Sequence, residues 1–292
     1  MNEKIQKDIL DIHVKRKLDT IPDISIGFSS SLFMMFGLPT HRIKDPSGQP
    51  GMYYEKTTPL CKLTITRNKD FELPFGCYAR MNQIFIDTEV KTKKTNVIDI
   101  GQTWNEYIRR IGYKEGGANK GVLEQLKNFV TCSIQITPAI AQKNRITGIQ
   151  TFVSKAYDIH FDVKNPSQLS LVKGQIILSE DYAQFIQNHS VPLDMDIVRA
   201  FNRNPLALDF YRYLAYRNNE LSKEFSIPDH MLFDQLGSTG SSNLRVIRAR
   251  LKNILTHIKI LWNVRASFED QCFILKPSPS AVPKKSSLIN FK

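Results

Sequence analysis

Residues 108–128 read IRRIGYKEGGANKGVLEQLKN, with Gly112, Gly116, Gly117 and Gly121 set among Lys114, Lys120 and Lys127 just ahead of a helix-like run. Glycines and lysines before a helix can cradle nucleotide phosphates. That chemistry needs the pattern G-x-x-x-x-G-K-[ST], in which the lysine reaches the phosphates and the hydroxyl holds magnesium. Gly112 and Gly117 have the right separation, but Ala118 and Asn119 stand where Lys and Ser or Thr should be. The alternative is a turn between two helices, and the flanking residues decide for it. Upstream, VIDIG is a short β-like run, followed by a helix carrying Trp104, Tyr107, Ile108 and Ile111. Downstream, Val122, Leu126, Phe129 and Val130 share one helical face, and alternating residues in SIQI, GIQTFVSKAYDIHFDV and QIILS predict strands.

The same order returns in FSIPDHMLFDQLGSTGSSNLRVIRARLKNILTHIKILW. A helix is expected from near Pro228, a favoured first helical position. It turns at Gly237, and a second helix directs Leu244, Ile247, Leu251, Ile254 and Ile258 toward a core. A shift of 125 residues lays Gly112 on Gly237 and the triplet Leu126, Lys127, Asn128 on Leu251, Lys252, Asn253, as an internal duplication would. Helix, glycine turn, helix and β-hairpin is the order of a winged helix, whose second helix enters the major groove of DNA. On this reading the glycines turn the chain between positioning and recognition helices, and the lysines meet nucleic-acid phosphates. The expected fold is α+β, with tandem winged-helix domains, an N-terminal extension and a flexible C-terminal tail. Residues 1–73 form the extension, packing on a first domain of 74–189. A second domain spans 190–283, separated near Ser190, and 284–292 is the tail.

The charge balance fits. Forty Lys and Arg against 28 Asp and Glu give a formal charge of +12 and a pI near 9.5, which favours a polyanionic partner. No apolar run approaches the roughly eighteen residues of a spanning helix, and MNEKIQKDIL is too charged for a signal-peptide core, so a cytoplasmic protein is expected. Cys61, Cys77, Cys132 and Cys272 are scattered without a C-x-x-C pair, so reduced, mostly buried thiols are expected rather than a zinc site or disulfide framework.

The face of the second recognition helix opposite its apolar stripe carries Ser242, Arg245, Ala249, Lys252 and Thr256, flanked by Arg248 and Arg250. It holds no acid. A solvated helix face usually mixes both signs for i,i+4 pairing, so this one favours DNA contact. The candidate DNA-binding residues are therefore Ser242, Asn243, Arg245, Arg248, Ala249 and Lys252. The first copy adds Lys120 and Lys127, and Lys143 and Arg145 lie in its hairpin turn QKNRITG. Its outer face, Lys120, Glu124, Lys127 and Asn128, is more ambiguous because of the acid.

Several separated blocks resemble the plasmid-encoded RepA family of replication initiators. They are FGLPTHR, LPFGCYARMNQIFIDTEVKTKKTNVIDIG, YIRRIGYKEGG with LEQLKNF, VPLDMDIVRAFNRNPLALDFYRYLAYR and LKPSPSAVP, spanning about Phe36 to Lys284. The resemblance implies two winged-helix domains, binding to repeated sites in double-stranded plasmid origin DNA, and recruitment of host replication initiation proteins and helicase. Self-association is allowed for, and no membrane, metal or cofactor is expected. It assigns no base contacts.

Three constellations have a competing reading. Asp158, His160 and Asp162 in DIHFD could be a metal cluster, but a nicking initiator needs two histidines flanking a bulky apolar residue, so the solvent side of a strand fits better. Phe210, Tyr211, Tyr213 and Tyr216 could stack bases of single-stranded DNA, yet Leu206, Leu208 and Leu214 among them suit a core helix. The Pro/Ser-rich tail ends in SLINFK, a candidate partner peptide for a replication clamp, with plain disorder the competing reading. The protein is thus read as a non-enzymatic origin-binding initiator, the alternatives being a winged-helix transcriptional regulator or a nicking rolling-circle enzyme.

Overall fold

The computed structural model describes residues 3–17, 25–58, 61–114, 120–139, 148–236 and 243–282. The chain forms two compact units, one of Met1–Gly37 with Val191–Lys292, the other of Leu38–Ser190. The first 37 residues thus belong with the second half of the chain, not with the first domain as the sequence suggested. The reason lies in helix α1 (Glu3–Lys17), whose Ile5 and Ile9, one turn apart, are buried where the helix packs on Leu244–Leu261. At its end Arg16 pairs with Asp194 at 2.6 Å and Asp196 at 3.0 Å. Burial pushes the Asp194 carboxyl up and the Arg16 guanidinium draws it back, so each charge is tolerable only beside the other. Strand β1 (Ile26–Ser30) and helix α2 (Ser31–Phe36) follow. Gly37 ends α2 with φ +66°, and a Cβ there would lie 2.9 Å from Asp209 Oδ2, so conformation and space both require glycine.

The second unit carries β2 (Tyr53–Thr57), β3 (Cys61–Thr66), α3 (Gly76–Lys93), β4 (Val97–Gly101), α4 (Trp104–Arg110), α5 (Lys120–Val130), β5 (Ser133–Pro138), β6 (Ile149–Phe152), β7 (Ser154–Asp158), β8 (Gly174–Leu178) and α6 (Glu180–His189). Its four-stranded antiparallel sheet runs β2-β3-β5-β6 and buries Leu63, Ile65 and Ile134 on one face. A three-stranded sheet runs β4-β8-β7. GIQTFVSKAYDIHFDV is therefore not one strand, because the chain changes sheet at the buried Val153, whose N–H donates to Cys132 O at 3.1 Å. Helix α3 is buried around most of its circumference, with Arg80, Asn82, Gln83 and Asp87 buried beside Met81, Ile84, Ile86 and Val90. Arg80 makes this affordable by donating to the carbonyls of Leu38, Pro39 and Gly76. Asn82 donates to Val122 O at 3.0 Å and accepts from the Tyr107 hydroxyl at 2.6 Å, fixing α5 and α4 to α3.

Returning to the first unit, the chain forms β9 (Ser190–Asp194), α7 (Met195–Ala200), α8 (Pro205–Asn219), β10 (Phe225–Pro228), α9 (Asp229–Gln235), α10 (Leu244–Leu261), β11 (Ala266–Glu269) and β12 (Cys272–Leu275). Helix α8 is a core helix, with Phe210, Tyr211, Tyr213 and Leu214 all buried. The β11–β12 hairpin closes through Asp270 and Gln271, both at positive φ (38° and 62°), as a two-residue primed turn requires. β10 adds to β12, giving an antiparallel sheet β10-β12-β11.

Each unit thus holds the succession helix, strand, helix, helix, strand, strand: α3-β4-α4-α5-β5-β6 in one and α8-β10-α9-α10-β11-β12 in the other. The 125-residue shift read from the sequence carries Trp104–Arg110 onto Asp229–Gln235 from end to end. The copies part where α10 has 18 residues and α5 has 11.

Candidate nucleic-acid interface

Helix α10 starts at Asn243, whose side-chain oxygen accepts from the Arg245 N–H at 3.0 Å. Ile247, Leu251, Ile254, Leu255 and Ile258 turn inward and are buried, which leaves Arg245, Ala249, Arg250, Lys252, Asn253, Thr256 and Lys259 exposed. Leu244 does not join the core as its spacing suggested. It is 54% exposed and Val246 44%. Over its whole length α10 contains Arg245, Arg248, Arg250, Lys252 and Lys259 and no Asp or Glu.

The expected contacts separate on inspection. Arg245, Ala249 and Lys252 stand together on the exposed face. Arg248 instead turns to α9, its Nε 3.0 Å from Asp229 Oδ2. Burial raises the Asp229 carboxyl above its usual range, and Arg248, Lys252 and His230 pull it back. The side-chain oxygen of Asn243 is spent on capping. Ser242 lies outside the described residues.

Helix α5 is differently placed within its own unit. Val122, Leu126, Phe129 and Val130 are buried as their spacing predicted, Lys120 and Glu124 are exposed, and Lys127 is half-buried. Asn128 is not on an outer face. It is buried, and its side-chain oxygen accepts from the Glu72 N–H at 3.2 Å. Gln125, also buried, accepts from the Phe75 N–H at 2.8 Å. Arg42 reaches Glu72 at 2.7 Å and Glu124 at 3.7 Å, so Arg42, Glu72 and Phe75 meet this helix and use its polar groups. Both amides escaped the sequence reading, since their partners lie about fifty residues away and leave no periodic trace. Of the opening glycines, Gly112 makes the turn after α4 at φ +88°. Gly116, Gly117, Gly237, Lys143 and Arg145 lie outside the described residues, as does the tail from 283 onward.

The other constellations are structural where described. His160 Nδ1 is 3.0 Å from Asp158 Oδ1, and its Nε2 faces Ser170 Oγ at 2.5 Å and Val172 O at 3.0 Å. The Asp158 hydrogen bond raises the imidazole pKa. Asp162 accepts from the N–H groups of Lys164 and Asn165, and Phe161 stacks on Tyr107 with ring centroids 5.3 Å apart. These bonds hold the 159–173 excursion in shape. Among the described residues no group of His, Cys, Asp and Glu is arranged to hold a metal ion, and no helix is long and apolar enough to cross a membrane. No disulfide joins the four cysteines; Cys132 alone of them is fully buried, its thiol pushed up to about 12 by desolvation, so the thiols are less buried than expected.

Residues 73–235, more than half of the chain, match the family described as plasmid encoded RepA protein. No sequence among the curated proteins matches the chain. Among solved structures, domains 2 and 3 of RctB have a similar fold. Their selenomethionine crystal structure superposes with a TM-score of 0.51 at 9% identity, over 85% of this chain and 96% of that one. A further crystal structure of the same domains gives a TM-score of 0.52 at 10% identity, over 82% and 94%. At these identities the likeness is one of fold, a mixed arrangement of helices and sheets.

Proposed function

The chain belongs to the family of plasmid-encoded RepA proteins, and from that premise we propose that it initiates plasmid replication by binding repeated sites in duplex origin DNA through tandem winged-helix modules. The observation that carries this is α10, an 18-residue helix with five Lys or Arg and no acid, whose outward stripe is open to solvent. A face of that kind neutralises phosphates and displaces counterions when it enters a groove, and an ordinary solvated face would mix signs. The order α9, α10, β11, β12, with β10 completing the sheet, supports the winged-helix reading of this module. The matching order around α4 and α5 supports a second. Binding is non-enzymatic in this proposal: the protein positions DNA and host replication initiation proteins, including the helicase, and breaks no bond itself. The site of action is the cytoplasm, where plasmid and host machinery meet.

Footprinting on the origin of the replicon that encodes the protein tests the reading. Protection at repeated sites, lost in an Arg245→Ala/Lys252→Ala variant that still folds, is the expected result. Undiminished protection by that variant would remove α10 from the interface. Supercoiled origin DNA incubated with the protein and magnesium or manganese should stay supercoiled, and a site-specific nick would replace the non-enzymatic reading.

A further inference from the structure

The first turn of α10 breaks the pattern that the rest of the helix obeys. Ile247, Leu251, Ile254 and Ile258 are all seated in the core, with exposures of 3% or less. Leu244 belongs to the same stripe by its spacing yet is 54% exposed, and Val246 is 44% exposed on the other side of Arg245. Asn243 and Arg245 are exposed as well, so among the described residues this end of the helix presents two exposed aliphatic side chains flanking one guanidinium. The helix that carries them has no acid, which matches it to a polyanion rather than to an apolar cleft of neutral charge. Ala249, one turn beyond Arg245, keeps the stripe low and lets the helix come close to what it meets. The Asn243 side-chain oxygen already serves the Arg245 N–H, leaving Arg245 as the main polar reader of this turn.

The edges of the bases in a major groove offer donors, acceptors and one apolar group, the 5-methyl of thymine. We infer that Leu244 and Val246 read thymine methyl groups in the origin repeat, beside a guanine read by Arg245. The inference rests on the proposed placement of α10 in the major groove. It assigns specificity to two residues that composition and charge leave unmarked.

Uracil lacks only the methyl and pairs as thymine does, so it tests the inference on the wild-type protein. Footprinted duplexes are prepared with each thymine replaced singly by uracil and titrated with the full chain. One or two replacements should weaken binding about three- to fivefold, the size expected for one buried methyl group. A Leu244→Ala/Val246→Ala variant should bind the thymine duplex more weakly by a similar factor and no longer distinguish it from uracil. Both side chains are exposed and alanine favours helix, so circular dichroism should not change. Wild-type indifference to every uracil, discrimination retained by the variant, or a protected half-site without thymine would each overturn the inference. Failure of the underlying reading looks different, since Arg245→Ala and Lys252→Ala would then leave DNA binding untouched.

Discussion

Helices α5 and α10 occupy equivalent places in two copies of one element order, yet one is built into its unit and the other is left open. Both bury an apolar stripe at helical spacing. What separates them is the next ring of residues. On α5 that ring is Gln125 and Asn128, which satisfy the N–H groups of Phe75 and Glu72, and Glu124, which Arg42 approaches at 3.7 Å. On α10 it is Arg245, Arg250, Lys252 and Asn253, all exposed. A helix whose flanks satisfy another segment's backbone cannot also offer them to base edges. Under the proposed function, the commitments of the flanking polar groups, more than position within the motif, set which of the two helices is free to read DNA.

The largest expected effect tests the structural half of that contrast. Replacing Gln125 and Asn128 by alanine strands the Phe75 and Glu72 N–H groups, and each loss should cost about 1–3 kcal/mol of stability in urea unfolding. Origin affinity of the protein that remains folded should not change. Folded variant with strongly reduced affinity would mean that α5 contacts DNA and that the contrast is false.

Next in size is the recognition half. Arg245→Ala removes a guanidinium able to pair bidentately with guanine O6 and N7, and should cost about 1–3 kcal/mol on the cognate site and much less on scrambled duplex. Retained specificity would take the first turn of α10 out of the reading surface. Below this come the phosphate contacts. Lys252→Ala should weaken cognate and scrambled binding alike and flatten the log K against log salt slope by roughly 0.9. Lys120→Ala and Lys127→Ala on α5 should move that slope far less, and equal slopes from both helices would show that the two copies grip DNA together.

Local pattern made much of this legible. The apolar stripes of α4, α5 and α10, the start of α9 after Pro228, and the core character of α8 all follow from residue spacing, because burial repeats with the helix. What escaped depends on distant partners. Arg16 finds Asp194, and Asn128 finds the Glu72 N–H, with nothing near either residue in sequence to announce it. No Gly or Pro stands near Val153 to mark a turn, so the change of sheet between β6 and β7 was invisible. In the candidate site, the outward register of Arg245, Ala249 and Lys252 could be read from a helical wheel. The loss of Arg248 to Asp229 and the exposure of Leu244 could not, since a wheel shows direction and not the neighbour met there.

The smallest expected effect concerns that Arg248. By charge alone it should count among the phosphate contacts and lower the salt slope as much as Lys252 does. In the structure its Nε lies 3.0 Å from Asp229 Oδ2, with the two side chains 25% and 11% exposed, so its charge is already compensated within the unit. A cation held this way displaces few counterions when DNA arrives, since it has an anion before and after. Arg248→Ala should therefore leave the slope unchanged within error while destabilising the fold by about 1 kcal/mol, a modest figure because the pair is partly solvated. The destabilisation has a definite origin: burial already raises the Asp229 carboxyl, and losing Arg248 removes the strongest of the charges that oppose the rise. Salt titration of Arg248→Ala beside Lys252→Ala reads the difference directly. A slope that flattens by roughly 0.9 in both would show that Arg248 leaves Asp229 for a phosphate on binding, and would widen the open face of α10 by one residue.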